Sequence, residues 1–203
     1  SSDLVQFSQK KAGQRGYSQD LCKFVNAKPL FMIPIIDPVD RTLILKELTA
    51  DKLLRKTNNG GNEIYVVTAR NSPNIMQELG RLRELSFRDA GGGTGAAVDI
   101  DAEDTAEEGY QQLFVWDPKA QEIVGGYRFI VSRTPHPKHM STEHYFRFSD
   151  KFRNEFLPYT IELGRSFVQP LYQGIRQNPK GLYSLDNLWD GLGALRSEER
   201  RVG

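Results

Sequence analysis

The spacing of apolar and polar residues divides the chain into strand-like and helix-like segments. Runs rich in β-branched and aromatic residues predict four strands, at 63–69, 113–117, 122–131 and 159–168. Leucine and isoleucine at helical spacing predict helices at 41–56, 74–88 and 184–195. The second and third strands are joined by only four residues and are expected to form a hairpin. This order predicts an α/β (α+β) fold, with a mixed, largely antiparallel sheet flanked by helices.

Prolines and glycines mark the segments outside these elements. Prolines at 29, 34 and 38 exclude a continuous helix there, so residues 1–40 are predicted to be an arm that packs an extended apolar piece onto the domain. An arm lying on a membrane surface is the alternative. The glycine run 91–95 lacks the Gly-Lys-Ser/Thr ending of a phosphate-binding loop, which favours a solvated linker.

Composition excludes several classes of function. The net charge is only +1, so there is no overall basic field that would attract nucleic acid. The single Cys22 excludes an internal disulfide and a four-cysteine zinc site, and it fits a reducing cytoplasm. No window approaches the roughly 18 apolar residues of a membrane span. We therefore expect a cytoplasmic protein, with peripheral contact at the inner membrane face as an alternative.

Several charged residues stand where a strand or helix should be apolar. Arg165 breaks the alternation of its strand, which indicates a bulge near Gly164 that brings Glu162 and Arg165 to one face. Arg128 lies inside an apolar strand and would need a carboxylate partner if buried. Arg83 lies one turn before Phe87 on the same helix face. Each of these positions also fits an ordinary solvent-exposed charge.

Taken together, these residues form a recognisable pattern. Leu-Arg-x-x-x-Phe on a helix, an acidic Asp-x-x-Asp segment, Gly-Tyr-Arg-Phe on a strand and Glu-Leu-Gly-Arg-Ser-Phe-Val on the next strand resemble the GNAT-like N-acyltransferases that use acyl carrier proteins. That group includes acyl-homoserine-lactone synthases and ornithine N-acyltransferases. The likeness is strongest to its hemolysin-like branch, which includes glycine N-acyltransferases. The resemblance covers 41–195 and implies a GNAT-like domain whose last strands lie beyond Leu195.

The resemblance also implies an activity and a set of site residues. The activity is transfer of a fatty acyl group, with or without a 3-hydroxyl, to the amine of a small amino acid such as glycine or ornithine, in aminolipid synthesis. Glu162 and Arg165 would be catalytic. Residues 164–166 would hold the oxyanion, and Asp99 competes for a place in the acidic pair. The implied substrate-binding residues are Arg83, Phe87, Asp101, Asp104, Arg128, Gly164 and Ser166.

The expected acyl donor is a carrier protein. Relatives that use coenzyme A carry a Gln/Arg-x-x-Gly-x-Gly/Ala loop that cradles pyrophosphate, and no such loop follows the strand 159–168. An acyl-phosphopantetheine thioester on an acyl carrier protein is therefore favoured over acyl-coenzyme A, with no bound cofactor. The candidate docking charges for an acidic carrier are Arg147, Lys151, Arg153, Arg176 and Lys180.

Three further expectations complete the interpretation. No metal site is expected, because His136 and His139 lie among prolines and no cysteine accompanies them. Residues 196–203 resemble a translated sequencing adapter and are predicted to be a non-native tail. Without a strand beside 159–168 the acyl slot would have one wall, so this chain is expected to be inactive or only weakly active. A non-catalytic module that binds a carrier protein or lipid, and an acyl-homoserine-lactone synthase, stay open as alternatives.

Overall fold

The computed structural model describes residues 32–135, 137–173 and 179–202. The helices are α1 (Arg41–Glu47), α2 (Pro73–Asp89), α3 (Ala102–Thr105), α4 (Thr142–Tyr145) and α5 (Ser184–Val202). The strands are β1 (Leu53–Lys56), β2 (Glu63–Val67), β3 (Gln111–Asp117), β4 (Glu122–Val131) and β5 (Ile161–Val168). Short 3-10 turns lie at Ala50–Lys52, Leu157–Tyr159, Pro170–Tyr172 and Pro179–Tyr183, and a π-turn lies at Phe152–Phe156.

The five strands form one sheet in the order β1-β2-β3-β4-β5, and every neighbouring pair is antiparallel. Side chains of β3 point to both faces of the sheet. Phe114 and Trp116 pack with α2 on one face, and Leu113 and Val115 pack with α5 on the other. A third cluster, Tyr110, Ile130, Met140 and Leu157, closes one end of the β4–β5 pair. The α/β architecture and the predicted 118–121 hairpin are confirmed.

The first predicted helix was wrong over its second half. α1 ends at Glu47, and Leu53–Lys56 form β1, a fifth strand that the sequence did not predict. Leucine spacing over so short a stretch fits a strand as well as a helix, and pairing with β2 decides the outcome. β1 thus becomes an edge of the sheet instead of a helical turn.

The start of α2 is capped by a distant carboxylate. Ser72 occupies the N-cap position, but its hydroxyl makes no capping bond. Instead, the Glu47 carboxylate accepts from the backbone N–H of Asn74 at 3.0 Å and of Ile75 at 2.8 Å. These two donors are among the four that a helix N-terminus leaves unpaired, so Glu47 joins α1 to α2.

The glycine run 91–95 is exposed to solvent at Gly91, Gly92 and Thr94, as expected, and it is also held by hydrogen bonds. The buried Glu84 carboxylate accepts from the N–H groups of Thr94, at 3.0 Å, and Gly95, at 2.8 Å, and from the Thr94 hydroxyl at 2.6 Å. The sequence does not indicate this role for Glu84, because its loop partners lie 10 and 11 positions away and include two backbone N–H groups. The loop is therefore fixed on the side of α2.

Part of the predicted arm lies on this loop. Ile33 donates to the carbonyl of Gly95 at 2.9 Å, and Ile36 donates to that of Ala97 at 3.2 Å. Residues 32–40 are non-helical up to α1, and residues 1–31 lie outside the described residues. At the other end α5 continues past Leu195 to Val202. No described helix combines the length and apolar character of a membrane span.

Candidate functional site

A bulge lies in β5 where the sequence predicted one. Gly126 of β4 is opposite Phe167 and Arg128 is opposite Gly164, so Arg165 and Ser166 share the space across from one β4 residue. Arg165 has a φ of 51°, a left-handed conformation that is uncommon for a side chain of its size. This turn brings the Arg165 side chain to the α2 face of the sheet, which Glu162 shares through its register with Ile130.

Arg128 is buried at the centre of a charge cluster. Only 4% of the residue is exposed, and its Nη1 lies 2.7 Å from Asp101 Oδ2 and 3.3 Å from Asp104 Oδ2. Its Nη2 donates to Ser141 Oγ at 2.9 Å, and its guanidinium carbon lies 4.2 Å from the centre of the Tyr110 ring. The sequence predicted a carboxylate partner for a buried Arg128, and the structure supplies two.

Arg83 holds the other end of the acidic segment. Its Nη1 lies 3.3 Å from Asp104 Oδ2, and its Nη2 donates to the side chain of Gln112, which in turn donates to Asp104 at 3.0 Å. Arg83 is 1% exposed, so it does not present its charge to a small molecule. The resemblance implied a substrate-binding role for Arg83, whereas its contacts are those of a residue that positions Asp104.

The acidic segment is pre-shaped by its own hydrogen bonds. Asp101 caps α3 by accepting from the Asp104 N–H at 3.0 Å, and Asp104 accepts in return from the Asp101 N–H at 3.2 Å. This reciprocal capping box satisfies two N–H groups at once. It presents one carboxylate to Arg128 and keeps the other between Arg83 and Arg128, which gives the Asp-x-x-Asp spacing a physical reason.

A third carboxylate belongs to the same cluster. Arg165 Nε lies 3.0 Å from Asp99 Oδ2, and Arg165 Nη2 lies 3.5 Å from Asp101 Oδ2. Asp99 is 2% exposed, whereas about a third of the Arg165 side chain, 34%, is exposed. The sequence offered Asp99 only as a competitor for the acidic pair, but it acts beside that pair. Arg165 is thus the arginine of the cluster that solvent reaches.

Glu162 is half-buried and held by two donors. The Tyr110 hydroxyl donates to Glu162 Oε1 at 2.6 Å, and the Thr142 N–H lies 3.2 Å from Oε1 and 3.4 Å from Oε2. Tyr110 also lies next to Ser141, whose N–H donates to the tyrosine oxygen at 2.9 Å. Neither Tyr110 nor Ser141 was predicted, because an isolated tyrosine and serine carry no signal without their partners.

The electrostatics differ from one carboxylate to the next. Burial raises the pKa of Asp99, against the opposing charges of Arg165 and Arg83. Burial also acts to raise the pKa of Asp101, but the hydrogen bond and charge of Arg128 outweigh it and hold that pKa below its usual range. Burial raises the pKa of Tyr110 to about 12, and the bond to Glu162 adds to this effect. The Tyr110 hydroxyl therefore stays protonated at neutral pH and donates a hydrogen bond to Glu162.

The remaining predicted residues surround the cluster or lie outside it. Phe87 is half-buried and packs on the α2 core. A Cβ at Gly164 would lie 3.3 Å from Arg128 Nε, so the glycine leaves room for that side chain. Ser166 is exposed on the bulge. Gly164 and Ser166 thus border the charge cluster, whereas Phe87 supports α2 beneath it.

Three of the predicted docking charges, Arg147, Lys151 and Arg153, have side chains that the structure describes. Arg147 and Lys151 are exposed, while Arg153 donates to Glu143 at 2.8 Å and its guanidinium lies 5.6 Å from the Phe148 ring centre. Arg176 and the side chain of Lys180 lie outside the described residues. Within the described ranges no group of three ligating side chains could hold a metal ion, and His136 lies outside them.

Known proteins resemble this chain over most of its length. Residues 82–180 match the acetyltransferase (GNAT) domain family. The chain is 54% identical over 169 residues to a glycine N(alpha)-acyltransferase of Bacteroides thetaiotaomicron, covering 81% of this chain and 50% of that protein. It is 55% identical over 169 residues to a glycine N(alpha)-acyltransferase of Phocaeicola vulgatus, covering 81% of this chain and 52% of that protein.

The chain therefore spans about half the length of these curated relatives. No solved structure matches it significantly. The segment matched by the GNAT family contains every residue of the charge cluster, from Arg83 on α2 to Arg165 on β5. The five-stranded antiparallel sheet with its flanking helices is consistent with the fold of an acetyltransferase (GNAT) domain.

Proposed function

We propose that the protein carrying this chain is an N-acyltransferase that moves a fatty acyl group from the phosphopantetheine thioester of an acyl carrier protein to the amine of glycine. The observation that carries the proposal is the position of Glu162, a half-buried carboxylate held by two donors beside a bulged strand. The identity of more than half to two glycine N(alpha)-acyltransferases supports glycine as acceptor. Ornithine and other small amino acids are the alternative acceptors.

In this mechanism Glu162 removes a proton from the ammonium group of the acceptor. The neutral amine then attacks the thioester carbonyl, a C–N bond forms and the C–S bond breaks. The second amine proton leaves with the thiol, so the products are an amide and a free phosphopantetheine thiol. A positioned carboxylate within reach of the amine accelerates such a step by general base catalysis. Tyr110 and Thr142 keep Glu162 in one orientation for that transfer.

The bulge supplies donors for the developing oxyanion. Within the described ranges no strand pairs with the outer side of β5, so the N–H groups on that side have no strand partner. The left-handed turn at Arg165 re-aims the backbone of residues 164–166. Backbone N–H groups held in fixed positions are effective donors to a tetrahedral oxyanion, which assigns that role to the bulge.

Arg165 is the residue that binds the carboxylate of the acceptor. A guanidinium pairs with a carboxylate through two parallel hydrogen bonds, and Arg165 is partly exposed whereas Arg83 and Arg128 are buried. Asp99 and Asp101 fix one side of its guanidinium. Arg83, Arg128 and Asp104 then serve as the support that holds Asp101 in place.

The carrier protein is proposed from the segment that follows β5. A 3-10 turn, Pro170–Tyr172, comes after the strand, and among the described residues the next α-helix begins at Ser184. Coenzyme A pyrophosphate is bound in the superfamily at a helix that follows this strand closely, through the loop that is absent here. Arg147 and Lys151, both exposed, are the basic residues proposed to contact an acidic carrier.

The test compares Glu162→Gln with Glu63→Gln in the full-length protein. Glu63 of β2 also accepts from a tyrosine hydroxyl, that of Tyr65 at 2.9 Å, but belongs to no part of the cluster. Purified protein is incubated with ¹³C-glycine and a 3-hydroxyacyl carrier protein, and N-acyl glycine is measured by mass spectrometry. We expect product from the native protein and from Glu63→Gln, and at least about 100-fold less from Glu162→Gln.

Parallel reactions separate the alternatives. Acyl-coenzyme A replaces the carrier protein in one series, and ornithine or S-adenosylmethionine replaces glycine in two others. Faster turnover with coenzyme A would overturn the proposed donor, and an N-acyl ornithine or lactone product would overturn the proposed acceptor. Binding of acyl carrier protein without any amide product would identify a non-catalytic module. Full activity of Glu162→Gln would overturn its assignment as the base.

A further inference from the structure

We infer that Tyr110 and Ser141 are positioning residues, which connect Arg128 to Glu162 through an unbroken chain of hydrogen bonds and so set the orientation of the Glu162 carboxylate. The inference rests on the proposed function, in which Glu162 is the base, and it adds two residues that neither the sequence motifs nor the GNAT resemblance assigns. The distances that define the chain are Arg128 Nη2 to Ser141 Oγ, 2.9 Å, Ser141 Oγ to Tyr110 Oη, 3.1 Å, and Tyr110 Oη to Glu162 Oε1, 2.6 Å.

The two ends of the chain determine the direction of its hydrogen bonds. A guanidinium can only donate and an ionised carboxylate can only accept. Arg128 therefore donates to the Ser141 hydroxyl, the Ser141 hydroxyl donates to Tyr110, and Tyr110 donates to Glu162. The first and last bonds each involve a charged group, and such bonds are about twice as strong as neutral ones. The orientations of the two hydroxyl protons, on Ser141 and Tyr110, are therefore both determined.

Burial makes Tyr110 a positioning residue and not a catalytic one. The residue is 1% exposed, packed with Ile130, Met140 and Leu157, and its ring lies under the Arg128 guanidinium at 4.2 Å. A substrate cannot reach its hydroxyl without displacing that packing. What Tyr110 can do is restrict Glu162, whose other contact, the Thr142 N–H, is longer at 3.2 Å and reaches both oxygens.

The same chain joins Glu162 to the acidic segment. Arg128 is held by Asp101 at 2.7 Å, and Asp101 also lies within 3.5 Å of Arg165. Arg165, proposed to bind the acceptor carboxylate, and Glu162, proposed to accept a proton from the acceptor ammonium group, are therefore the two ends of one connected network. A displacement of Asp101 would therefore displace both Arg165 and Glu162, so the network aligns the acceptor amine with the base.

Tyr110→Phe and Tyr65→Phe in the full-length protein form a matched pair. Each tyrosine is buried and donates to a glutamate, at 2.6 Å for Tyr110 and 2.9 Å for Tyr65. Loss of a hydrogen bond to a charged group corresponds to about a 10- to 100-fold change. We expect Tyr110→Phe to lower kcat by that factor with little change in KM for glycine, and Tyr65→Phe to leave both unchanged.

A double variant separates positioning from general damage to the fold. If Tyr110 acts through Glu162, Tyr110→Phe has no further effect once Glu162→Gln is present, and its factor falls to about 1. The same factor in both backgrounds would overturn the inference, as would a Tyr110→Phe variant as active as Tyr65→Phe. Full activity of Glu162→Gln alone is a different result, because it would remove the base itself and with it the proposed function.

Ser141 is tested by a conservative pair and by a measurement that needs no turnover. Ser141→Thr keeps the hydroxyl and should retain activity, whereas Ser141→Ala should lower kcat about tenfold. In proton NMR the buried Tyr110 hydroxyl should give a low-field signal that is absent from Tyr110→Phe. That signal should shift in Glu162→Gln and Ser141→Ala and stay in place in Glu63→Gln. A signal unmoved by Glu162→Gln would overturn the inference even for an inactive protein.

Discussion

Arg128 reaches Asp101 at 2.7 Å across 27 positions of sequence, and this contact fastens the first turn of α3 to the middle of β4. Asp101 is at once the cap of a helix, the partner of a buried arginine and a neighbour of Arg165. A four-residue helix such as α3 has little intrinsic stability. Its position therefore depends on its charged contacts, among them Asp101 with Arg128 and Asp104 with both Arg83 and Arg128.

Replacement of Arg128 by methionine should destabilise the fold strongly. It leaves Asp104, whose side chain is fully buried, with one arginine instead of two, and it breaks the bond to Asp101. Breaking a buried ion pair from one side costs about 3–5 kcal/mol, so urea unfolding should show a loss of about 3 kcal/mol. The control is Arg41→Met, whose pair with Glu122 is largely exposed and worth less than about 1 kcal/mol. Equal losses in both variants would contradict the prediction.

Two glycine-to-alanine changes should have opposite signs. A Cβ at Gly126 of β4 would meet the backbone oxygen of Leu113 at 2.5 Å, whereas a Cβ at Gly193 of α5 has nothing within 4 Å. Overpacking against backbone costs about 1–3 kcal/mol, while alanine stabilises a helix interior by about 0.5–1 kcal/mol relative to glycine. Thermal unfolding should therefore show a lower Tm for Gly126→Ala and a higher Tm for Gly193→Ala. A Tm shift of the same sign in both would refute this reading of the packing.

The Glu84 carboxylate should stabilise the protein only above acidic pH. Burial acts to raise its pKa, but hydrogen bonds from Thr94 and Arg88 outweigh it, so the pKa in the folded state lies below the usual value of about 4.3. A depressed pKa means that the contribution is complete above about pH 4.3 and is lost as the pH falls through the lower, folded-state value. The difference in unfolding free energy between native protein and Glu84→Gln should shrink as the pH is lowered from 7 to about 3. A constant difference would show that the charge of Glu84 is not what orders the loop.

Tyr110 should make the protein sensitive to alkali. Burial and the bond to Glu162 raise its pKa to about 12, against about 10 in the unfolded chain. A raised pKa gives a contribution that is complete below about pH 10 and is lost as the pH rises towards 12. The unfolding free energy of the native protein should therefore fall more steeply over that range than that of Tyr110→Phe. Parallel curves would mean that Tyr110 ionises in the folded state as readily as in the unfolded one.

The strands and the bulge could be predicted because their signals are local. Runs of β-branched and aromatic residues mark β3, β4 and β5, and the break in alternation at Arg165 marks the bulge within two residues. β1 was missed because a segment of four residues with two leucines is too short to show a periodic pattern. Its strand character comes from pairing with β2. Local pattern thus accounts for most of the sheet but not for its first edge.

The site was only partly visible for a different reason. Glu162, Arg165, Asp101 and Arg128 were recognised through a motif resemblance, since each alone fits a surface charge. Tyr110 and Asp99 gain their roles from partners more than 50 positions away, Glu162 and Arg165 respectively. No pattern within a segment reports such a contact. The ordered glycine loop belongs to the same class, because it depends on Glu84 of α2.

The Glu47 cap has a consequence for how the chain folds. The first turn of α2 takes its acceptors from a side chain 27 positions earlier, with β1 and β2 between them. A peptide containing α2 alone would lack this carboxylate and would fray at its start. We expect the middle of α2 to form first during folding, and the N–H groups of its first turn to gain their Glu47 acceptor only when α1 packs against it. The first turn of α2 is thus complete only when Glu47 makes this contact. Pulsed hydrogen exchange at the N–H groups of Asn74 and Ile75 would show when the contact forms.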